Sequence, residues 1–183
     1  MLLTGLLPDI TTDPAIETAT DSVEAGRSGT IVAPVGIRPP LLAAVASRAA
    51  TPLVVLTATG RDAESLTNAL ASWIPGVAML PAWETLPHER LSPQVDTMAR
   101  RIAVLRRLVH PIKGDDSAGP ISVLVVPIRA FLQPIISGLA DLEPVRVRKG
   151  DILDLTETTN RLAELGYERV DMVEGRGQMS VRG

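Results

Sequence analysis

The sequence predicts an α/β fold, a parallel sheet layered with helices, followed by a smaller α+β module. Three observations carry this. Short apolar runs at Thr30–Ala33, Leu53–Thr57, Val77–Leu80 and Ile121–Val126 alternate with stretches of helical periodicity. Leu53–Thr57 (LVVLT) is apolar almost without interruption, as in a strand covered on both faces. After Pro144 the pattern changes: Val145–Lys149 (VRVRK) alternates apolar and basic residues, the mark of a half-buried strand.

Taken in order, Met1–Ser28 mixes Thr, Asp and Pro and reads as an N-terminal extension with one short helix at Pro14–Thr20. Residues 29–143 form the first module. Its first strand, Thr30–Ala33, leads through a loop at Pro34–Arg38 to an alanine-rich helix from Pro39 to Ala50. The second strand, Leu53–Thr57, is followed by a helix opening at Thr59-Gly60, in which Ala63, Leu66, Ala69, Leu70 and Trp73 keep helical spacing. Pro75-Gly76 ends that helix, and Val77–Leu80 is the third strand.

Pro81, Pro87 and Pro93 then forbid regular structure before the next helix. Ser92 reads as its N-cap, with Pro93 at the first helical position. Ile102, Leu105, Leu108 and Val109 form an apolar stripe. Arg100 and Arg107 fall opposite, Arg106 on the flank, and Arg101 near the apolar boundary. His110–Pro120 is a polar, potentially mobile connection to the fourth strand, Ile121–Val126, and Pro127–Gln133 is a short helix or turn. Residues 144–183 are the second module. Asp154 caps a helix with Glu157 at capping-box spacing. Leu155, Thr159, Leu162 and Leu165 supply its inner face, and Gly166 stops it. Tyr167–Val173 reads as a strand, Glu174–Gly177 as a turn, and Gln178–Arg182 as the return strand, cut off so that the chain looks like a fragment.

Bulk properties exclude several classes. The chain has 183 residues, a hydrophobic fraction of 45% and a net charge of −3, so it can bury a core but has no global drive toward nucleic acid. It contains no cysteine and two histidines, which removes disulfides and thiolate metal sites and leaves little for a histidine site. Aromatic residues make up 2%, too few for a base-stacking surface. No apolar run approaches the roughly 20 residues that span a bilayer. No leader is evident, and a monomer in a reducing cytoplasm is the expectation.

Catalytic constellations are missing. A P-loop needs glycines to aim N–H groups at phosphates, then Lys and Ser/Thr. The corresponding loop, Ala33-Pro34-Val35-Gly36-Ile37-Arg38-Pro39-Pro40, has one glycine, no lysine and no hydroxyl, and no GxGxxG loop is present. His88 and Glu89 beside Arg90, His110 before Pro111, and the pair Asp115-Asp116 each lack a partner that would make them catalytic or metal-binding. The fragment is therefore expected not to be an enzyme and to bind no cofactor.

Trp83-Glu84-Thr85-Leu86-Pro87-His88, then Ser92-Pro93 and Asp96, then the arginine-rich helix, resemble the amino-terminal region of the Mfd family, the bacterial transcription-repair coupling factors. Gly166-Tyr167, Arg169-Val170-Asp171, Val173, Gly177 and Arg182-Gly183 resemble the start of that family's second domain, which is similar to a domain of the excision-repair protein UvrB. The resemblance implies a UvrB-like domain 1a at 29–143, a degenerate RecA-like or helicase-type layer without an ATP site, and the start of a UvrA-binding domain 2 at 144–183. It further implies that the parent is an ATP- and Mg-dependent translocase on double-stranded DNA, acting on stalled RNA polymerase. This region would recruit UvrA in nucleotide excision repair and make restraining contacts with the rest of its own chain.

By resemblance Arg182 matches an arginine at the UvrA-contacting surface, where a guanidinium can grip a carboxylate with two hydrogen bonds. The family usually carries an aromatic three residues before the Arg-Gly pair, where this chain has Met179. The competing reading is direct DNA binding through Arg100, Arg101, Arg106 and Arg107, which would weaken steeply with salt.

Overall fold

A computed structural model describes residues 3–85 and 93–182. The expectations that rest on Pro87, His88, Glu89, Arg90 and Ser92 lie outside the described residues. Helices α1 (Leu7–Thr11) and α2 (Pro14–Glu24) come first. The carboxylate of Asp13 accepts from the amides of Ala15 and Ile16, and Pro14 costs no hydrogen bond in the first turn. Residues 3–28, set apart from sequence as an extension, pack onto the first module. Leu7 lies in its main core and Ala19 packs with Leu41 and Val45 of α3 (Arg38–Arg48). Arg48 seals the junction, donating to Glu24 at 2.6 and 2.9 Å, Asp21 at 2.9 Å and Thr20 at 2.9 Å.

The sheet follows. Strand β1 (Leu53–Thr57) leads to α4 (Gly60–Leu70), which starts where Thr59 accepts from the amide of Asp62 and donates to its carboxylate. Strand β2 (Val77–Met79), helix α5 (Val95–Val109), strand β3 (Val123–Pro127) and the single turn of α6 (Ile128–Phe131) complete the module. The order is β1-β3-β2 and both pairings are parallel, with Val55 and Met79 opposite Val125. The predicted parallel α/β layer is therefore present.

The central strand separates two cores. Val123 and Val125 face Ala43, Ala46, Ala63 and Leu70 on the side of α1, α3 and α4. Leu124 and Val126 face Ala78, Leu80, Val104 and Ala130 on the side of α5 and α6. Among the described residues, β3 alone of the strands is buried along its whole length. The expectation that β1 is covered on both faces is corrected: Val54 and Leu56 are about half exposed.

Two predicted strands are absent. Thr30–Ala33 is irregular, with Val32 95% exposed, and Val145–Lys149 is irregular, with Val147 61% exposed. A strand exists through its ladder, and among the described residues neither segment has a neighbour to complete one. The polar connection at 110–120 is closed by hydrogen bonds. Ile112 N–H donates to Ala118 O at 2.8 Å, and one Asp115 oxygen accepts from Ser117 N–H, Ser117 Oγ and Ala118 N–H at 2.7–2.9 Å.

These bonds, led by the Ser117 hydroxyl, draw the Asp115 carboxyl down from 3.8 to about 2. A depressed folded pKa means that the contribution is complete above the unfolded value and is lost as pH falls through the folded one. A pH titration by NMR should therefore move the Ser117 and Ala118 amides with a midpoint near 2. A midpoint at the ordinary carboxylate value would show the loop open in solution.

In the second module Asp154 caps α7 (Leu155–Glu164) by accepting from Glu157 N–H at 2.7 Å, as predicted. The predicted hairpin is corrected. Strands β4 (Glu168–Arg169) and β5 (Gln178–Met179) are two residues each and run parallel, Glu168 opposite Gln178. The Gln178 side-chain carbonyl accepts from the amides of Glu174 and Gly175 at 2.9 and 3.1 Å. That closes the connecting turn and returns the chain beside β4 in the same direction.

Candidate protein-interaction surface

The edge bearing Arg182 is assembled from both ends of the β4–β5 connection. Val170 N–H donates to Met179 O at 2.9 Å, and Glu168 N–H to Gly177 O at 2.8 Å. Beyond the strands, Ser180 Oγ and Arg182 Nη2 both donate to Asp171 O, at 3.0 and 3.3 Å. Arg169, Val170, Asp171, Ser180, Val181 and Arg182 line one shallow cleft. Arg182 spends one donor on a backbone carbonyl and remains exposed, leaving most of its fork available to a carboxylate. Met179, at the position where the resemblance implies an aromatic, is 9% exposed and faces inward.

The four arginines of α5 go to different places. Arg100 pairs with Asp96 at 2.7 Å on the exposed side. Arg106 donates to Leu142 O at 3.0 Å and lies 3.9 Å from Glu143, against the segment leading into the second module. Arg107 donates to Gly119 O at 2.8 Å, and burial pushes its pKa down. Arg101 is 1% exposed: its guanidinium lies 4.4 Å from the Trp83 ring centroid and donates to Pro81 O at 2.6 Å. Burial lowers its pKa as well. The structure does not gather these side chains into one open basic patch.

The inward face of α5 is corrected accordingly. It carries Thr97, Arg101, Val104 and Leu105, whereas Leu108 and Val109 are 40% and 56% exposed. The helix also starts later than Pro93. Gln94 stays extended as the N-cap, and Met98 N–H makes the first bond to Gln94 O at 3.0 Å. Asp96 then places a carboxylate in the positive first turn.

Burial of Arg101 follows from the stretch before the helix. Trp83 N–H donates to Gln133 Oε1 at 2.8 Å and Arg129 Nη2 donates to Glu84 O at 3.1 Å. Thr97 Oγ1 donates to the Glu84 carboxylate, which holds that carboxyl below its ordinary pKa. Sequence reasoning missed Gln133 as the anchor of Trp83, and Thr97 and Arg129 as the anchors of the neighbouring Glu84. The available signal was an arginine spaced four after Thr97 and three before Val104, on the apolar side of a helix.

Val35–Ile37 is one 3₁₀ turn running into α3, whose first turn contains Pro39 and Pro40 and so presents no cradle of N–H groups. His110 Nε2 lies 2.7 Å from Asp141. Among the described residues no group of three or more His, Cys, Asp or Glu side chains is placed to hold a metal, and no helix is long and apolar enough to cross a membrane.

A family profile for the UvrB interaction domain matches residues 145–183. A transcription-repair-coupling factor of Mycobacterium tuberculosis is 46% identical over 157 residues, covering 84% of this chain and 12% of the relative. That of Escherichia coli is 28% identical over 145 residues, covering 78% and 12%. UvrABC system protein B of Vibrio parahaemolyticus is 27% identical over 154 residues, covering 78% of this chain and 22% of the relative. The chain thus spans about an eighth of the coupling factors it matches. With a UvrB interaction domain on a UvrB-like α/β layer, and nearly half its aligned residues shared with a mycobacterial coupling factor, the chain belongs to the transcription-repair-coupling-factor family.

Proposed function

We propose that this chain is a non-catalytic adaptor and regulatory module of a transcription-coupled repair factor, and that it presents the Arg182 edge to UvrA. The observation that supports the reading is the position of Arg182. It is an exposed guanidinium steadied on Asp171 O inside the segment that matches a UvrB interaction domain. Charge-assisted pairing with a carboxylate of the partner is the chemistry this geometry suits. ATP, Mg, RNA polymerase and double-stranded DNA belong in this reading to the remainder of the longer factor, acting in the cytoplasm. The first α/β layer supplies a platform rather than a nucleotide site.

The test is UvrA affinity measured for the whole coupling factor and for this chain, each with and without Arg182→Ala. Loss of a charged hydrogen bond should cost at least about 1.5 kcal/mol, roughly tenfold in Kd. An unchanged Kd for both proteins, or binding to duplex DNA with a steep salt slope in place of UvrA, would overturn the adaptor reading.

A further inference from the structure

The second module touches α5 at the start of the helix, and the segment leading into that module lies along the other end. At its start Asp96 uses both carboxylate oxygens: one lies 2.7 Å from Arg100 Nε and the other 2.6 Å from Arg176 Nη1, in the β4–β5 connection. Beside it the backbone of Gly177 lies against Val95, close enough that an added Cβ would sit 3.2 Å from Val95 Cγ1. At the far end the approach to the second module lies along the last turn. Arg106 donates to Leu142 O, His110 lies 2.7 Å from Asp141, and Arg146 lies 3.5 Å from Asp115 in the loop beyond the helix.

We propose that Asp96 and Arg176 are positioning residues that latch the β4–β5 connection to the start of α5 and so fix the direction in which the Arg182 edge faces. The consequence for UvrA rests on the adaptor reading; the latch itself does not. The chain entering the second module is already tethered at the end of α5, so closure at Asp96 is an intramolecular event that one ion pair can bias. Arg176 is largely exposed, with its side chain 71% accessible. A pair of this kind biases an equilibrium by a few-fold rather than welding the modules together. The contact is therefore a latch that salt or a partner can open.

The chain has no cysteine, so Arg61→Cys in α4 and Asn160→Cys in α7, both exposed positions, give a unique pair of spin labels. The expected result is one dominant distance, whose docked-to-undocked ratio falls about threefold in Asp96→Asn and in Arg176→Gln. The double variant should fall no further, because both changes remove one interaction. Arg100→Gln, which touches the same carboxylate without crossing between modules, should leave the distances unchanged. Raised ionic strength should reproduce the single variants. Distances insensitive to both single variants would overturn the latch, as would independent, additive effects. Arg182→Ala should reduce UvrA affinity without moving the labels. Failure of that binding result alone would therefore count against the adaptor reading and leave the latch standing.

Discussion

Arg101→Ala is expected to lower the unfolding free energy by about 3 kcal/mol, a large share of the stability of an ordinary domain. Several terms favour the arginine. Its guanidinium lies over the Trp83 ring in a desolvated position, a contact that contributes about 2 kcal/mol in such settings. The bond to Pro81 O at 2.6 Å is a charged one, and truncation leaves that carbonyl unpaired. Loss of the buried stem opens a cavity between the helix and the loop. Against these stands the cost of burying a charge that has no carboxylate partner among the described residues and whose Nε is unsatisfied there. The opposing cost keeps the net well below the sum. Arg101→Met separates the two sides, since it keeps the packed stem and removes the charge. It should lose roughly half as much as alanine in urea unfolding. Should alanine cost less than about 0.5 kcal/mol, the guanidinium does not hold Trp83 in solution.

Gly76→Ala is expected to cost about 3 kcal/mol, for two reasons that add. Its φ of +75° lies in the left-handed region, where an alanine loses about 1 kcal/mol or more. A Cβ there would also meet Pro120 O and Ser122 Oγ at 2.8 Å and Ser122 N at 3.0 Å. Two of those atoms are backbone, so they cannot rotate away. The same residue joins the starts of two strands, because its carbonyl accepts from Ser122 and Val123 amides at 2.8 and 3.3 Å. Moving it disturbs the register between β2 and β3. Gly26→Ala is the control: φ is +65° with nothing within 4 Å, so only the conformational cost of about 1 kcal/mol applies. Equal losses for the two variants would mean that the close approach at Gly76 is absent.

Elements whose signals are local were legible. Thr59 and Asp154 stand where the helices they cap begin, because a cap is written within four residues. Leu53–Thr57 and the core of Ile121–Val126 are strands because their apolar runs are wide enough to join a buried layer. Thr30–Ala33 has a similar run and fails, since strand identity requires a neighbour that its own residues do not specify. The Arg182 site was legible only through resemblance. Nothing in the local spelling of Arg182 tells a reader that Asp171 O steadies it.

The α5 arginines show the division most clearly. Periodicity established that a helix runs through them, and it placed Arg101 only near a boundary. Trp83 carried no sign that its ring would receive a cation from that helix, and neither did Gln133, which holds its backbone, nor Arg129, which holds the carbonyl of Glu84 beside it. By itself, then, the sequence determined the parallel α/β layer, the caps of α4 and α7, the spelling of the loop before α3 and the family resemblance. Tertiary structure alone decided which arginine is buried, which strands find partners, and that Arg176 reaches Asp96. The physical reason is that periodicity and capping act within a turn or two. Burial of a charge and completion of a ladder depend instead on groups that the chain brings together from far along its length.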